Sequence, residues 1–274
     1  MTLDRLAPVT ALWWTETGPS DAPVVLLLHG GGVGAWMWRD QVEALRDRYR
    51  VITPDLPGHD HSAGVPFPSD GGSPAPGEIV ADLAELLREV APGAASDTTG
   101  ATVVGFSFGA QLTVALAAAH PDLVARAVVV SALTEPLPMP GLSAGLSASL
   151  VRAAAPLGGQ RWFARLQAKA LYVDDAMFDD YLRTARSLSA ADLVSMTTAN
   201  AAFRIPEAWA DFPGRALLLA GGAEPRALVR GMRDLHDRLP GSELEILAGA
   251  GHGLPLQHTP WFNQRLLGWL DEQN

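Results

Sequence analysis

The chain of 274 residues contains no cysteine. That excludes disulfides, thiolate metal sites and a cysteine nucleophile. Lysine is nearly absent, with Lys169 standing alone among 20 Lys and Arg residues. The formal net charge is −10. Non-specific nucleic-acid binding needs a basic surface that displaces phosphate counterions, so an acidic chain argues against it. Long hydrophobic runs are missing as well. Apolar runs such as VVLLL at 24–28 are far too short to cross a bilayer. The leading MTLDRLAPVTALWW carries Asp4 and no apolar run followed by a small-residue cleavage site, which makes it a poor signal peptide. A soluble, cytoplasmic protein is expected, with neither nucleic acid nor membrane as partner.

What is present is apolar. Hydrophobic residues make up 48% of the chain, enough for a substantial core. Short apolar runs recur at 24–29, 50–55, 102–106, 127–130, 216–220 and 244–248. Each is bounded by Gly, Pro or charge, as in strands buried on both faces. Amphipathic helical patterns lie between them at 38–48, 78–90, 110–120 and 225–239, and another closes the chain at 261–273. The alternation predicts an α/β fold with a doubly wound, mostly parallel sheet. WWTETG (13–18) should add an antiparallel edge. Residues 133–212 break the alternation, opening Pro-rich and then reading as successive helices. They predict a helical lid inserted before the penultimate strand, with 1–132 and 213–274 forming the core. HDHSAGVPFPSDGGSPAPG (59–77) reads as a mobile surface loop.

GFSFG (105–109) follows a strand and opens a helix. G-x-S-x-G in that setting is a nucleophile elbow, which forces a serine hydroxyl above the sheet on a strained turn. It singles out Ser107. A serine hydroxyl needs a base, and His252, between the last strand and the final helix, lies at the sheet edge where ligands bind in such folds. The order Ser, acid, His suits this architecture. HGGGVGAWMW (29–38) follows the first buried strand, and successive glycines let backbone amides approach a developing oxyanion. The expected donors are the N–H groups of Phe108 and Gly31, with Gly32 possible. A phosphate-binding loop is disfavoured, since G-x-x-x-x-G-K-[ST] is absent.

LLLHGGG, VITPDLPGHDHSAG, VVGFSFGAQL, LLLAGGAE and GAGHGLPLQHTPWFNQRLL, in this order, resemble the α/β-hydrolase superfamily, particularly its small lid-bearing members. The resemblance runs over almost the whole chain. One departure is Asp60, where relatives usually carry the second glycine of PGxGxS. The resemblance implies a triad acid after the penultimate strand, usually an Asp and here Glu224. Such a carboxylate would orient His252 and stabilise its imidazolium. Some relatives place the acid one strand earlier, where Glu135 would compete.

Trp36, Phe106 and Trp162, with Gly32, are candidate substrate contacts. Trp38, Phe163, Phe178 and Tyr181 are further aromatics that pack the lid on the core or line an apolar pocket. The HDH spacing at 59–61 is compatible with a metal, but two histidines in a loop read more simply as solvated. No metal or cofactor is expected. The expected activity is hydrolysis of a small, largely apolar ester, lactone or thioester through an acyl-enzyme. A carbon–carbon bond hydrolase or related lyase, suggested by HGGGVGA, and a slow-turnover receptor that retains the triad are the alternatives. Oligomeric state is not readable.

Overall fold

A computed structural model describes residues 3–6, 11–70, 73–74, 76–91, 100–135 and 144–272. Eight strands form one sheet: β1 (Leu3–Leu6), β2 (Trp13–Thr17), β3 (Val24–Leu28), β4 (Arg50–Pro54), β5 (Ala101–Phe106), β6 (Val124–Val130), β7 (Arg215–Gly221) and β8 (Glu243–Leu247). Their order is β1-β2-β4-β3-β5-β6-β7-β8. Every pairing from β4 to β8 is parallel. β2 pairs antiparallel with β4, as WWTETG predicts, but it is not the edge. Leu3–Leu6 pairs outside it, and those four residues carry no apolar run that would mark a strand.

Successive residues of the central strands face opposite sides of the sheet, and both sides are buried. Leu26, Leu28, Val103, Val129 and Leu218 pack with helices α2 (Pro76–Val90), α3 (Phe108–Ala119) and α8 (Arg226–Arg238). Val25, Leu27, Val104, Val128 and Leu217 pack with α1 (Arg39–Leu45) and α10 (Thr259–Asp271). This two-sided burial is why the strands read as unbroken apolar runs. The short helix α9 (Leu254–Gln257) precedes α10.

Between β6 and β7 the chain forms α4 (Ala144–Gly158), α5 (Arg161–Ala170), α6 (Phe178–Ser187) and α7 (Ala190–Ala202). The proline-rich stretch that opens this segment, 136–143, lies outside the described residues. Among the described residues no helix is long and apolar enough to cross a membrane.

Loop 58–67 departs from the mobile surface loop expected. The Gly58 N–H donates to the carbonyls of Ser62 and Val65, and His59 and Ser62 are buried. The buried Phe67 ring packs 5.8 Å from that of Phe108. Its N–H donates to Asp192 of α7 at 2.8 Å. Of the stretch 59–77 read from composition as a mobile loop, residues 59–67 are held by backbone turns and one aromatic anchor, and 71–72 and 75 lie outside the described residues.

Candidate active site

The carboxyl ends of β3, β5, β7 and β8 converge on one edge of the sheet. Ser107 follows β5 directly and adopts φ 53°, the left-handed region that side chains rarely enter. The glycines on either side make this turn possible. A Cβ on Gly109 would collide with the carbonyl oxygens of Leu28 and His29, and one on Gly105 with the Gly109 carbonyl and the Thr113 hydroxyl. The Ser107 N–H donates to the Val130 carbonyl at 2.8 Å, which ties the turn to the neighbouring strand.

His252 Nε2 lies 3.0 Å from Ser107 Oγ. Its other ring nitrogen, Nδ1, lies 3.5 Å from Glu224 Oε2. Both atoms are buried, and neither has another hydrogen-bond partner among the described residues. The separation is long for a hydrogen bond, and such contacts in unliganded sites commonly tighten when substrate binds. Glu224 is held from its other oxygen: Oε1 accepts the Ser131 hydroxyl at 2.6 Å and the Gly221 N–H at 2.8 Å. Glu135, the competing acid, is exposed and paired with Arg230 at 2.8 Å. Ser131 stands immediately after β6, also at positive φ (58°). Where some relatives carry the acid, this chain offers a hydroxyl that steadies an acid arriving from the next strand.

The glycine loop 29–32 is fixed by two histidines that were not among the expected site residues. His29 Nδ1 donates to the Gly30 carbonyl at 2.7 Å, and its Nε2 accepts the Leu56 N–H at 2.9 Å. His59 Nδ1 donates to the Pro57 carbonyl at 2.9 Å, and its Nε2 accepts the Gly32 N–H at 3.1 Å. Carbonyl acceptors require protonated Nδ1, and amide donors require bare Nε2, so both rings are neutral. Burial pushes both pKa values below the ordinary histidine range, that of His29 well below it. The Gly32 amide is therefore already committed, whereas those of Gly31 and Phe108 have no acceptor among the described residues.

His59 is thus buried rather than solvated. Within the HDH stretch only Asp60 and His61 join Asp55 in a group close enough to share an ion. Asp60 is instead bound by Arg183 of α6, at 2.6 and 2.9 Å. It takes φ 45°, filling with a side chain the backbone conformation that glycine supplies in the PGxGxS pattern. Its N–H also donates to Ser187 Oγ at 2.9 Å, so this departure fastens α6 to the loop.

A cavity of about 470 Å³ lies between the Gly31–Gly32 turn and helices α4–α7. Its walls include Ala154, Phe163, Leu171, Leu193 and Met196, with Gln167, Tyr181 and Thr197 as polar members. The Tyr181 hydroxyl donates to Gln167 Oε1 at 3.2 Å, and burial raises its pKa to about 12. Among the described residues no Arg, Lys or His lines this space. Met196 lies so close over Gly31 that a Cβ there would meet its sulfur at 2.8 Å.

The predicted contacts divide. Gly32 lines the cavity. Phe106 packs beneath the site, its ring 5.0 Å from that of His252. Trp36 is outside the cavity lining and holds α6, its Nε1 donating to Thr184 Oγ1 at 2.9 Å. Trp162 is 61% exposed, stacks edge-on against Phe163, and does not line the cavity. An amphipathic pattern marks which face of a helix is apolar, but not which ring stays wet.

The sheet order, the elbow and the residues gathered over it are those of an α/β-fold hydrolase. The chain belongs to the alpha/beta hydrolase family, whose model matches residues 25–265. RutD of Serratia proteamaculans, a putative carbamate hydrolase, is 31% identical over 263 residues, covering 91% of each chain. An esterase of Mycobacterium tuberculosis is 36% identical over 160 residues, and the 30 kDa subunit of magnesium chelatase from Rhodobacter capsulatus is 37% identical over 129. Those two matches cover 58% and 47% of this chain, but only 47% and 40% of the relatives. Among solved structures, the enol-lactonase of Burkholderia xenovorans superposes with a TM-score of 0.77 at 20% identity, covering 97% of this chain and 99% of that one. At that identity the likeness speaks for fold alone.

Proposed function

We propose that the chain is a serine hydrolase cleaving a small, largely apolar ester, lactone or thioester through an acyl-enzyme. The observation that carries this reading is the line Ser107 Oγ, His252, Glu224, with separations of 3.0 and 3.5 Å. In this reading Ser107 Oγ attacks the carbonyl carbon while His252 Nε2 takes its proton. The amides of Gly31 and Phe108 receive the oxyanion. Collapse of the tetrahedral adduct breaks the bond to the leaving group, and His252 returns the proton to that group. Water, deprotonated by His252, then releases the acid and restores Ser107. Glu224 holds the imidazole and stabilises its protonated form. Helices α4–α7 act as a lid whose inner walls select the acyl chain or ring.

The cavity lining supports an uncharged substrate. A carbon–carbon bond hydrolase that acts on acidic ring-cleavage products needs a cation to hold the carboxylate, and the described walls supply none. No observation favours the receptor reading over turnover. The test is a substrate screen of short-chain aryl esters and lactones on the wild type and Ser107→Ala. Turnover should fall by at least about 10⁴-fold in the variant. Retention of turnover on every substrate that the wild type cleaves would discard the mechanism.

A further inference from the structure

Tyr172, between α5 and α6, adopts φ 60°. A bulky aromatic residue in the left-handed region is a genuine outlier, and such strain persists only where the surroundings enforce it. The surroundings here are the loop that bears His252. On each side of that histidine stands a glycine facing Tyr172. A Cβ on Gly251 would collide with its hydroxyl and meet its ring at 2.9 Å, and one on Gly253 would meet the ring at 2.9 Å. The carbonyl of Leu171 closes against Gly253 from the same turn. Across this loop, Gln257 Oε1 accepts the Gly251 N–H at 2.6 Å, and the Phe106 ring packs against the imidazole. The histidine is therefore seated between the core and a residue carried by the inserted helices. Tyr172 is 40% exposed, so it is not a core residue.

We propose that Tyr172 is a positioning residue for His252, held in a strained backbone conformation so that its ring forms the wall against which loop 251–253 sits. The inference rests on His252 acting as the base for Ser107. Tyr172 does not line the cavity beside Gly31 and Gly32, and in this proposal it works by limiting where the imidazole can go. Displacement of a catalytic group by about 1 Å can cost on the order of 100-fold in rate, so a modest loosening of this loop is measurable.

Four variants separate positioning from mere structural support. Tyr172→Phe keeps the ring and should retain turnover within about twofold. Tyr172→Ala, Tyr172→Asn and Tyr172→Gly remove it, and each should lower kcat about tenfold or more with KM little changed. Reaction with a serine-directed fluorophosphonate should slow in parallel. Thermal stability should follow a different order: Gly and Asn tolerate positive φ, so both variants should melt above Tyr172→Ala. Turnover that is equally slow in all three, despite that ranking, supports positioning. Turnover that follows melting temperature across the series overturns it, as does a Gly variant with wild-type kcat while Ser107→Ala is inactive. Activity surviving Ser107→Ala would remove the triad reading itself and the proposal with it.

Discussion

Loop 29–32 and helices α4–α7 face each other across one cavity, yet they are built differently. The loop is held by neutral, fully buried histidines whose ring nitrogens are all taken by backbone groups. The helices leave apolar surface in solvent: Leu150, Leu157, Trp162, Leu166 and Tyr172 are the exposed large hydrophobics among the described residues. Their inner faces nevertheless join the core, through Phe178, Leu182, Met196 and Ala199, and polar ties such as Asp60–Arg183, Arg39–Asp180, Trp36–Thr184 and Asp192 on loop 58–67 add to that packing. The difference separates two tasks. On the proposed function, the groups that would meet reacting atoms sit at strand ends, and the groups that would fit the substrate sit on helices whose outer faces carry exposed apolar side chains.

The sharpest way to break this contrast is at Glu224. Glu224→Gln keeps size and loses charge, and should lower kcat by about 10²- to 10⁴-fold with unchanged KM and an intact fold. Glu135→Gln, on the surface, should stay within about twofold, as expected for an exposed ion pair. Near-normal turnover in the first variant would show that the strand ends do not divide the work in this way. On the helical side, Ala154→Phe should fill part of the cavity. It should shift kcat/KM from longer to shorter acyl chains by about tenfold while melting temperature changes little. A uniform loss for all chain lengths would mean that α4 supports the strand ends instead of shaping the pocket.

The smallest effect is on acid stability. The pKa values of His29 and His59 are lowered by burial in the fold, so the unfolded chain binds more protons as pH falls below the ordinary value of 6.5. Their stabilisation is present above that pH and is lost as pH falls through it, at no more than about 1.4 kcal/mol per histidine per pH unit. Thermal melts across this range should show the decline, with a shallower slope in His59→Gln. An equal slope in that variant would place the acid sensitivity elsewhere.

The mostly parallel sheet and the meeting of Ser107 with His252 at its edge were legible because each leaves a local mark: apolar runs at regular spacing, GFSFG between a strand and a helix, a histidine after the last strand. Glu224 was legible only through the family pattern, since a glutamate just before a helix equally suits the positive end of the helix dipole. The two pinning histidines were not legible, because their partners are backbone groups, one in the same loop and one in the other, and these leave no residue pattern. Ser131 and Tyr172 share a related difficulty. Their importance lies in a positive φ and in what faces them across the fold, and neither has a signature in neighbouring residues. Trp36 and Trp162 show the limit for aromatics: composition marked them, and only packing decided their places.

The close approach of Gly109 to the carbonyls of Leu28 and His29 has a consequence for how such chains diversify. A wall made of backbone cannot yield to a larger neighbour, so almost any change at the elbow is met by a loss of folding or function. A wall made of alanines and leucines on helices tolerates one substitution at a time. On the proposed function, substitutions that reshape the pocket should therefore be tolerated on the helical side more readily than at Gly109.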